Sequence, residues 1–160
     1  MSDCDCSIEV ETRQQSRVLI TLLAINAVMF VVEVVTGLLA ESTGLIADSL
    51  DMLADAVVYG IGLYAVGRAA SAKIHAALAS GYFQMALALV VAFDVCRRAL
   101  FGSEPEPAYM VLVGLIALIA NVICLTLIAK HRDGGVHMRA SWVFSKNDVI
   151  ANVGVILSGG

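Results

Sequence analysis

The stretch PAYMVLVGLIALIANVICLTLIA, residues 107–129, contains no charged side chain, and its only amide side chain is that of Asn121. A helix of about 20 apolar residues is long enough to cross the hydrocarbon core of a bilayer, which is about 30 Å thick. The stretch at 18–40 has the same character and contains a single charged residue, Glu33. These two segments predict a protein built from membrane-spanning helices.

The composition of the whole chain supports that prediction. Of its 160 residues, 59% are hydrophobic and 15% are charged, and the mean hydropathy is +0.86. Soluble domains average about 45–50% apolar and about 25% charged residues. The balance therefore excludes a soluble globular enzyme and a disordered chain. The net charge of −4 also argues against a nucleic-acid-binding domain, because such domains carry a basic surface.

Five apolar segments follow one another, joined by connections too short to hold a further domain. We predict an all-α, polytopic transmembrane helix bundle at 18–160, preceded by a cytoplasmic, acidic and cysteine-containing tail at 1–17. The last segment is still apolar where the sequence stops, so we expect a sixth helix beyond these five. The predicted helices are 18–40, 44–66, 74–100, 107–129 and 140–160.

Positive charge in the connections predicts the orientation, because loops on the cytoplasmic side are enriched in Lys and Arg. One side has seven such residues and the other has two, so we expect the N-terminus in the cytoplasm. The seven are Arg13, Arg17, Arg68, Lys73, Lys130, Arg132 and Arg139, and the two are Arg97 and Arg98.

Acidic residues inside the second apolar segment are the strongest functional signal. Asp48, Asp51 and Asp55 are spaced by three and four residues, which places them on one helical face. A charged residue near the centre of a membrane helix costs about 2.5–3.5 kcal/mol on insertion scales, and neighbouring carboxylates also repel one another. A bound cation relieves both penalties, so the pattern predicts a cation site.

Other polar residues in the apolar segments can complete such a site. Asp148 in the fifth segment, with the nearby amides of Asn147 and Asn152, can supply oxygen atoms, and so can Asn26 in the first. An oxygen-rich site suits divalent cations, and carboxylates can exchange a metal ion for protons. The alternative for Asn26, Asn121 and Glu33 is interhelical hydrogen bonding, and Asp48 can instead cap its helix.

A separate candidate lies ahead of the first apolar segment, where the sequence reads Asp3-Cys4-Asp5-Cys6. Two thiols and two carboxylates can capture a soft metal ion, because thiolates favour such cations. The alternative is an ordinary polar terminus. We expect no signal peptide, because the first 17 residues are polar and have no short apolar core before a cleavage site.

The segment from Ser42 to Asp55, STGLIADSLDMLAD, resembles the second helix of the cation diffusion facilitator (cation efflux) family, in its short form without a cytoplasmic C-terminal domain. The first segment, from Asn26 through Glu33 to Gly37, is similar to the opening helix of that family. The typical His-x-x-x-Asp pattern of the fifth helix falls on Phe144 to Asp148, with Phe144 in place of the His.

The resemblance implies a divalent-metal efflux transporter with Asp51, Asp55 and Asp148 as metal ligands, and with Asp48, Asn147, Asn152 and Asn26 as possible auxiliary residues. Zinc is the first choice of substrate, followed by cobalt, cadmium, iron, manganese or nickel, with protons as the counter-ion. It also implies a homodimer in the cell membrane, which we expect to be a bacterial inner membrane. Phe144 cannot bind a metal, so the usual fourth ligand is absent, and the candidates to replace it are Asn147, Ser145, Asn152 or water.

Two other classes of function compete with a transporter. A membrane scaffold or assembly subunit would use the same acids and amides to hold helices together. An intramembrane enzyme is disfavoured, because neither a His-Glu-x-x-His nor a Gly-x-Ser-x-Gly motif occurs in the chain.

Overall fold

A computed structural model of the chain describes residues 2–39, 43–101 and 107–159. Within these ranges the chain forms helices joined by turns and contains no strand, which confirms the predicted all-α bundle. The helices are α1 (Ser2–Leu39), α2 (Thr43–Ala65), α3 (Ala70–Phe101), α4 (Pro107–Ala129) and α5 (Val136–Gly159).

The main difference from the sequence-based boundaries is in α1, which begins at Ser2 and not near residue 18. The segment expected to be a tail is therefore helical. Residues 2–17 contain neither Gly nor Pro, and Asp3 and Asp5 carry negative charge near the helix N-terminus, where it is favourable. Hydropathy marks the part of a helix that suits a membrane, but it does not mark where the helix starts.

The helices are long enough to cross a bilayer. At 1.5 Å per residue, the 23 residues of α2 and of α4 span about 35 Å, and the 38 residues of α1 span about 57 Å. By length and apolar composition together, the described residues contain one stretch that meets the requirement for a membrane span, Val10–Leu39, and a shorter apolar one, Leu115–Ala129. The three aspartates of α2 lower its apolar character, although its length is sufficient.

One face of α3 consists of large apolar side chains that point away from the other helices. They recur every three or four residues, which is the spacing of a single helical face. This face suits contact with lipid, because lipid tails solvate apolar side chains that water would not. Its exposed residues are Ile74, Leu78, Tyr82, Met85, Leu89 and Phe93.

Two apolar clusters hold the bundle together. In the first, side chains from four helices meet around Tyr59 of α2 and Cys124 of α4. In the second, Phe144 of α5 packs against Ala54 and Val58 of α2, with Phe83 and Leu87 of α3 at its edge. The remaining members of the first cluster are Leu19, Leu22, Ile128 and Met138.

The turns at 66–69 and 130–135 lie at one end of the bundle, which we call the loop end. There the buried Gln15 of α1 donates hydrogen bonds to Glu11 (3.0 Å) and to the carbonyl of Gly134 (3.2 Å), so α1 is tied to the turn before α5. His137 lies beside this turn, ahead of the predicted fifth span. Burial, with Lys73 nearby, lowers the pKa of His137 to about 4, so its imidazole is neutral at pH 7.

Close packing of α1 on α2 depends on Gly37. A Cβ atom at this position would lie 3.0 Å from Cγ1 of Ile46 and 3.1 Å from Cβ of Leu45. The second of these atoms is fixed to the backbone and cannot move aside unless the helix shifts. The close approach of α1 and α2 at this point therefore requires a residue without a side chain.

We predict that Gly37→Ala destabilises the bundle by about 1–3 kcal/mol, the usual cost of overpacking a tight contact. Thermal unfolding of the detergent-solubilised chain measures the change. Gly81→Ala is the matched control, because a Cβ atom there meets nothing within 4 Å. Equal stability of the two variants would show that α1 and α2 do not pack this closely.

Candidate functional site

Three residue pairs align α2 with α5. At each pair the number on α2 rises as the number on α5 falls, so the two helices are antiparallel. A Cβ atom on Gly62 would lie 3.1 Å from Oγ of Ser141, so the helices touch at that point. The pairs are Asp55 with Asp148, Tyr59 with Ser145, and Gly62 with Ser141.

The first pair brings together two carboxyl groups inside the bundle. Asp55 is only 2% exposed and Asp148 is half-buried, and their carboxyl groups lie within hydrogen-bonding range of each other. Oδ2 of Asp148 is buried and has no hydrogen-bond partner. Two adjacent carboxylates in an apolar interior repel each other unless one takes up a proton or a cation lies between them. The pair therefore favours the binding of a proton or a cation.

Asp51 and Asp48 follow the pair along α2, toward the end opposite the loop end. Asp51 is exposed and Asp48 is half-buried, and Asp51 lies within electrostatic range of both Asp55 and Asp148. Among the described residues, no group of three His, Cys, Asp or Glu side chains is close enough to hold a metal ion. The structure thus places the carboxyl groups of Asp55 and Asp148 next to each other, whereas Asp51 lies near this pair without being part of it.

Glu33 of α1 is a buried acid whose importance the sequence did not reveal. It is 2% exposed, neither of its carboxylate oxygens has a hydrogen-bond partner, and it interacts electrostatically with Asp48 and Asp51. Neither oxygen therefore makes the interhelical hydrogen bond that the sequence suggests as an alternative for Glu33. The acids therefore form a series of electrostatic neighbours along α2, from Glu33 and Asp48 past the exposed Asp51 to the pair.

The four amides have different surroundings. Asn26 donates hydrogen bonds to the Leu22 carbonyl (3.0 Å) and to Sγ of Cys124 (3.5 Å), so it links α1 to α4 as an interhelical contact. Asn121 is buried with an unpartnered Oδ1, and Asn147 is exposed. Asn152 is buried, and the register of α2 on α5 places it opposite Asp51.

Phe144 lies four residues before Asp148 and is buried in the second apolar cluster. It also lines a cavity of about 280 Å³ between α3 and α5, together with Ser80, Gly81 and Gln84. The residue that replaces the expected His therefore has a packing role.

Two further residues lie beside the pair, and neither belongs to the three metal ligands that the family resemblance implies. The sequence gives no role for Tyr59, and it offers Ser145 as a substitute ligand. Both residues are buried, and their hydroxyl groups lie near each other without a hydrogen bond of standard geometry. The sequence signal that could have placed them at the site is their spacing. Tyr59 lies four residues after Asp55, and Ser145 lies three residues before Asp148, so each shares a helix face with one member of the pair. The side chains of Cys4 and Cys6, the predicted capture site, lie outside the described part of the structure.

A helical bundle with paired carboxyl groups buried between two of its helices has the features of a membrane transporter for cations. Comparison with protein families supports this class, because residues 19–160 match the cation efflux transmembrane domain. The chain therefore belongs to the cation efflux family, whose members are transporters of metal cations and not enzymes. A comparison with curated proteins finds no match.

We predict that Asp148→Asn stabilises the metal-free protein by about 1–3 kcal/mol, because it removes the repulsion between its own carboxyl group and the buried one of Asp55. Thermal unfolding in detergent with a chelator present measures the change. Asp133→Asn is the matched control, because the Asp133 side chain is 91% exposed in a turn. A loss of stability in Asp148→Asn alone would instead identify this carboxylate as a structural hydrogen-bond partner.

Proposed function

We propose that the protein exports a divalent transition metal from the cytoplasm and carries protons in the opposite direction. Asp55 and Asp148 bind the substrate ion, and Asp51 assists from the adjacent turn of α2. The observation that carries the proposal is the close approach of two carboxyl groups from different helices, one buried and one half-buried, inside a cation efflux domain. A divalent cation neutralises both groups, and protons can take its place when it leaves.

The ligand chemistry bears on which metal is carried. The groups around the pair are oxygen donors, from Asp51, Ser145 and Asn152 in addition to the two carboxylates. Zinc remains the first choice of substrate, but zinc sites usually include nitrogen or sulfur ligands, so an oxygen-rich site also accepts cobalt, cadmium, iron, manganese or nickel. Asp48 and Glu33 lie further along the acidic series and attract cations toward the end opposite the loop end.

The proposed arrangement in the membrane follows from charge. Lys and Arg residues flank the loop end, and two of them lie over aromatic rings: Arg68 is 3.8 Å from the ring centre of Tyr64, and Arg132 is 5.4 Å from that of Trp142. Basic and aromatic residues concentrate at a membrane surface, with the basic ones on the cytoplasmic side. We therefore assign the loop end and the N-terminus to the cytoplasm of a multi-pass protein in the cell membrane, here a bacterial inner membrane.

Two further parts of the proposal come from sequence and family. Cys4 and Cys6 capture metal on the cytoplasmic side, ahead of the permeation site, and the active unit is a homodimer. A scaffold without transport activity is the competing function, and the contact of Asn26 with Cys124 is the kind of link that it would use. Membership in the cation efflux family favours transport.

We predict that Asp55→Asn reduces zinc flux in proteoliposomes to the rate of protein-free vesicles, because the amide is nearly isosteric but carries no charge. A zinc-sensitive dye and a pH dye trapped in the same vesicles measure the metal and proton movements. Parallel assays with manganese and cobalt rank the metals. Insertion of the variant is checked by its yield and its retention on size-exclusion chromatography.

Asp133→Asn serves again as the matched control and should transport zinc at the wild-type rate. The scaffold function predicts a different pattern, with no zinc flux above background in any of the three proteins. Wild-type flux in Asp55→Asn would remove this residue from the transport site.

A further inference from the structure

The cavity between α3 and α5 is a groove on the surface of the bundle, close to the loop end. Its lining residues fall within 77–84 of α3 and 136–144 of α5, and its volume is about 280 Å³. Both helices begin at the loop end, so the groove lies within about 12 Å of the start of α5, at 1.5 Å per residue. In a membrane-spanning bundle it therefore lies in the leaflet on the loop-end side.

The groove opens outward, away from the other helices. Val136 is 49% exposed and Val143 is 40% exposed, and Gly81 on the opposite wall is exposed as well. A Cβ atom on Gly81 would meet nothing within 4 Å, so the absence of a side chain widens the groove and does not serve close helix packing. A lipid chain can therefore enter the groove from the side.

The walls of the groove are mostly apolar, but they include two hydrogen-bonding side chains. Ser80 and Gln84 place a hydroxyl and an amide on the α3 wall. A bare hydrocarbon chain has no use for such groups, whereas the ester oxygens of a phospholipid accept hydrogen bonds from them. The apolar part of the lining is formed by Ala77, Val136, Ala140, Val143 and Phe144.

Basic residues lie at the loop-end margin of the groove, one on each helix. Arg139 of α5 lines the groove and is exposed. Lys73 of α3 lies one helical turn before Ala77 and so shares the face of α3 that lines the groove. Its Cδ atom would be 3.7 Å from a Cβ atom placed on Gly135, immediately before α5, so the Lys73 side chain reaches across to the other wall.

The positive charge at this margin has no acidic partner in the described part of the chain, where neither Lys73 nor Arg139 forms an ion pair. Of the acids at the loop end, Asp133 pairs with Arg132 at 3.7 Å, and Glu11 accepts a hydrogen bond from Gln15 at 3.0 Å. Basic pockets between membrane helices on the cytoplasmic side bind the head groups of anionic lipids. The charge of the margin therefore complements an anionic head group.

We propose that this groove binds an anionic phospholipid. The phosphate lies at the margin between Lys73 and Arg139, the ester oxygens accept a hydrogen bond from Ser80, and one acyl chain runs along Val143 and Phe144. The leaflet that supplies the lipid is the cytoplasmic one, to which the loop end is assigned, and this leaflet presents anionic lipids to basic residues.

A lipid in this position bridges α3 and α5. Its acyl chain covers the outer side of Phe144, whose ring packs against Ala54 and Val58 of α2 in the second apolar cluster. Binding therefore stabilises the contact of α3 with the rest of the bundle, and a ligand that binds the folded state raises the temperature of unfolding. The inference requires a membrane-spanning bundle but does not depend on which ion is transported or on proton exchange.

The experiment uses the detergent-solubilised full chain with phosphatidylglycerol, which is anionic, or phosphatidylcholine, which is zwitterionic, both with the same acyl chains. Native mass spectrometry counts the bound lipids, and thermal unfolding measures their effect. Arg139→Gln removes the charge at the margin and leaves the groove open. Gly81→Leu places a side chain in the open space of the groove and leaves the charges in place.

Each variant has a matched control at the same end of the bundle. Lys130→Gln removes a positive charge from an exposed residue that does not line the groove. Ala79→Leu adds the same side chain as Gly81→Leu at an exposed position of α3 outside the groove. Both controls should bind the two lipids as the wild type does.

We expect the wild type to prefer phosphatidylglycerol and to unfold at a higher temperature in its presence. Arg139→Gln should bind this lipid about fivefold more weakly, the effect of one basic residue beside an anionic head group, and should bind phosphatidylcholine as before. Gly81→Leu should bind both lipids about tenfold more weakly, because the added side chain excludes roughly two methylene groups of the acyl chain.

Three results would overturn the proposal. Equal binding of the two lipids by the wild type, or an unchanged preference in Arg139→Gln, would remove the head group from this margin, and this test does not require Gly81→Leu to fold. Unchanged lipid binding in a folded Gly81→Leu would remove the acyl chain from the groove. Loss of a dimer mass in Gly81→Leu with unchanged lipid binding would show that a second copy of the chain occupies the groove. The zinc-flux assays of the proposed function are unaffected by any of these results.

Discussion

The meeting of Asp55 and Asp148 in the bundle interior is the interaction on which the account depends. Burying one ionised carboxylate in a membrane domain is costly, and burying two in hydrogen-bonding range adds their mutual repulsion. The energy is recovered only when a cation or a proton neutralises the site. A fold that retains such a pair is therefore suited to binding a cation, in keeping with the match of residues 19–160 to the cation efflux transmembrane domain.

The packing of α2 on α5 makes this pair possible. Gly62 removes a side chain where the helices touch, and Ser141 opposite it is small. Close approach at this point fixes the antiparallel register and carries Asp55 to Asp148 two turns away. Phe144 supports the same contact from the other side, because its ring fills the space between α2 and α3. A histidine at position 144 would lose this apolar packing and would offer a metal ligand instead.

Much of the fold could be predicted from the sequence, because apolar segments of membrane-spanning length identify helices directly. The start of α1 could not be predicted, because residues 2–17 form a helix although they are polar. The charged members of the site were also visible, because a carboxylate in an apolar segment is conspicuous.

Other aspects of the site depend on helix register, which a single sequence does not give. The role of Glu33 is one example, since only the packing of α1 on α2 shows that it lies near Asp48 and Asp51 without a hydrogen-bond partner. Tyr59 and Ser145 are a second example, because neither residue type indicates a site until the register of α2 on α5 places the two side chains beside the carboxyl pair. The exposed position of Asn147, next to the half-buried Asp148, likewise follows from the rotation of α5.

The most direct test of the central claim is a crystal structure of the zinc-loaded protein with anomalous diffraction collected at the zinc edge. The account predicts an anomalous peak between the side chains of Asp55 and Asp148, with oxygen atoms of both at about 2.0–2.2 Å. Ordered density for both carboxyl groups with no zinc between them, and a peak elsewhere in the bundle, would contradict it.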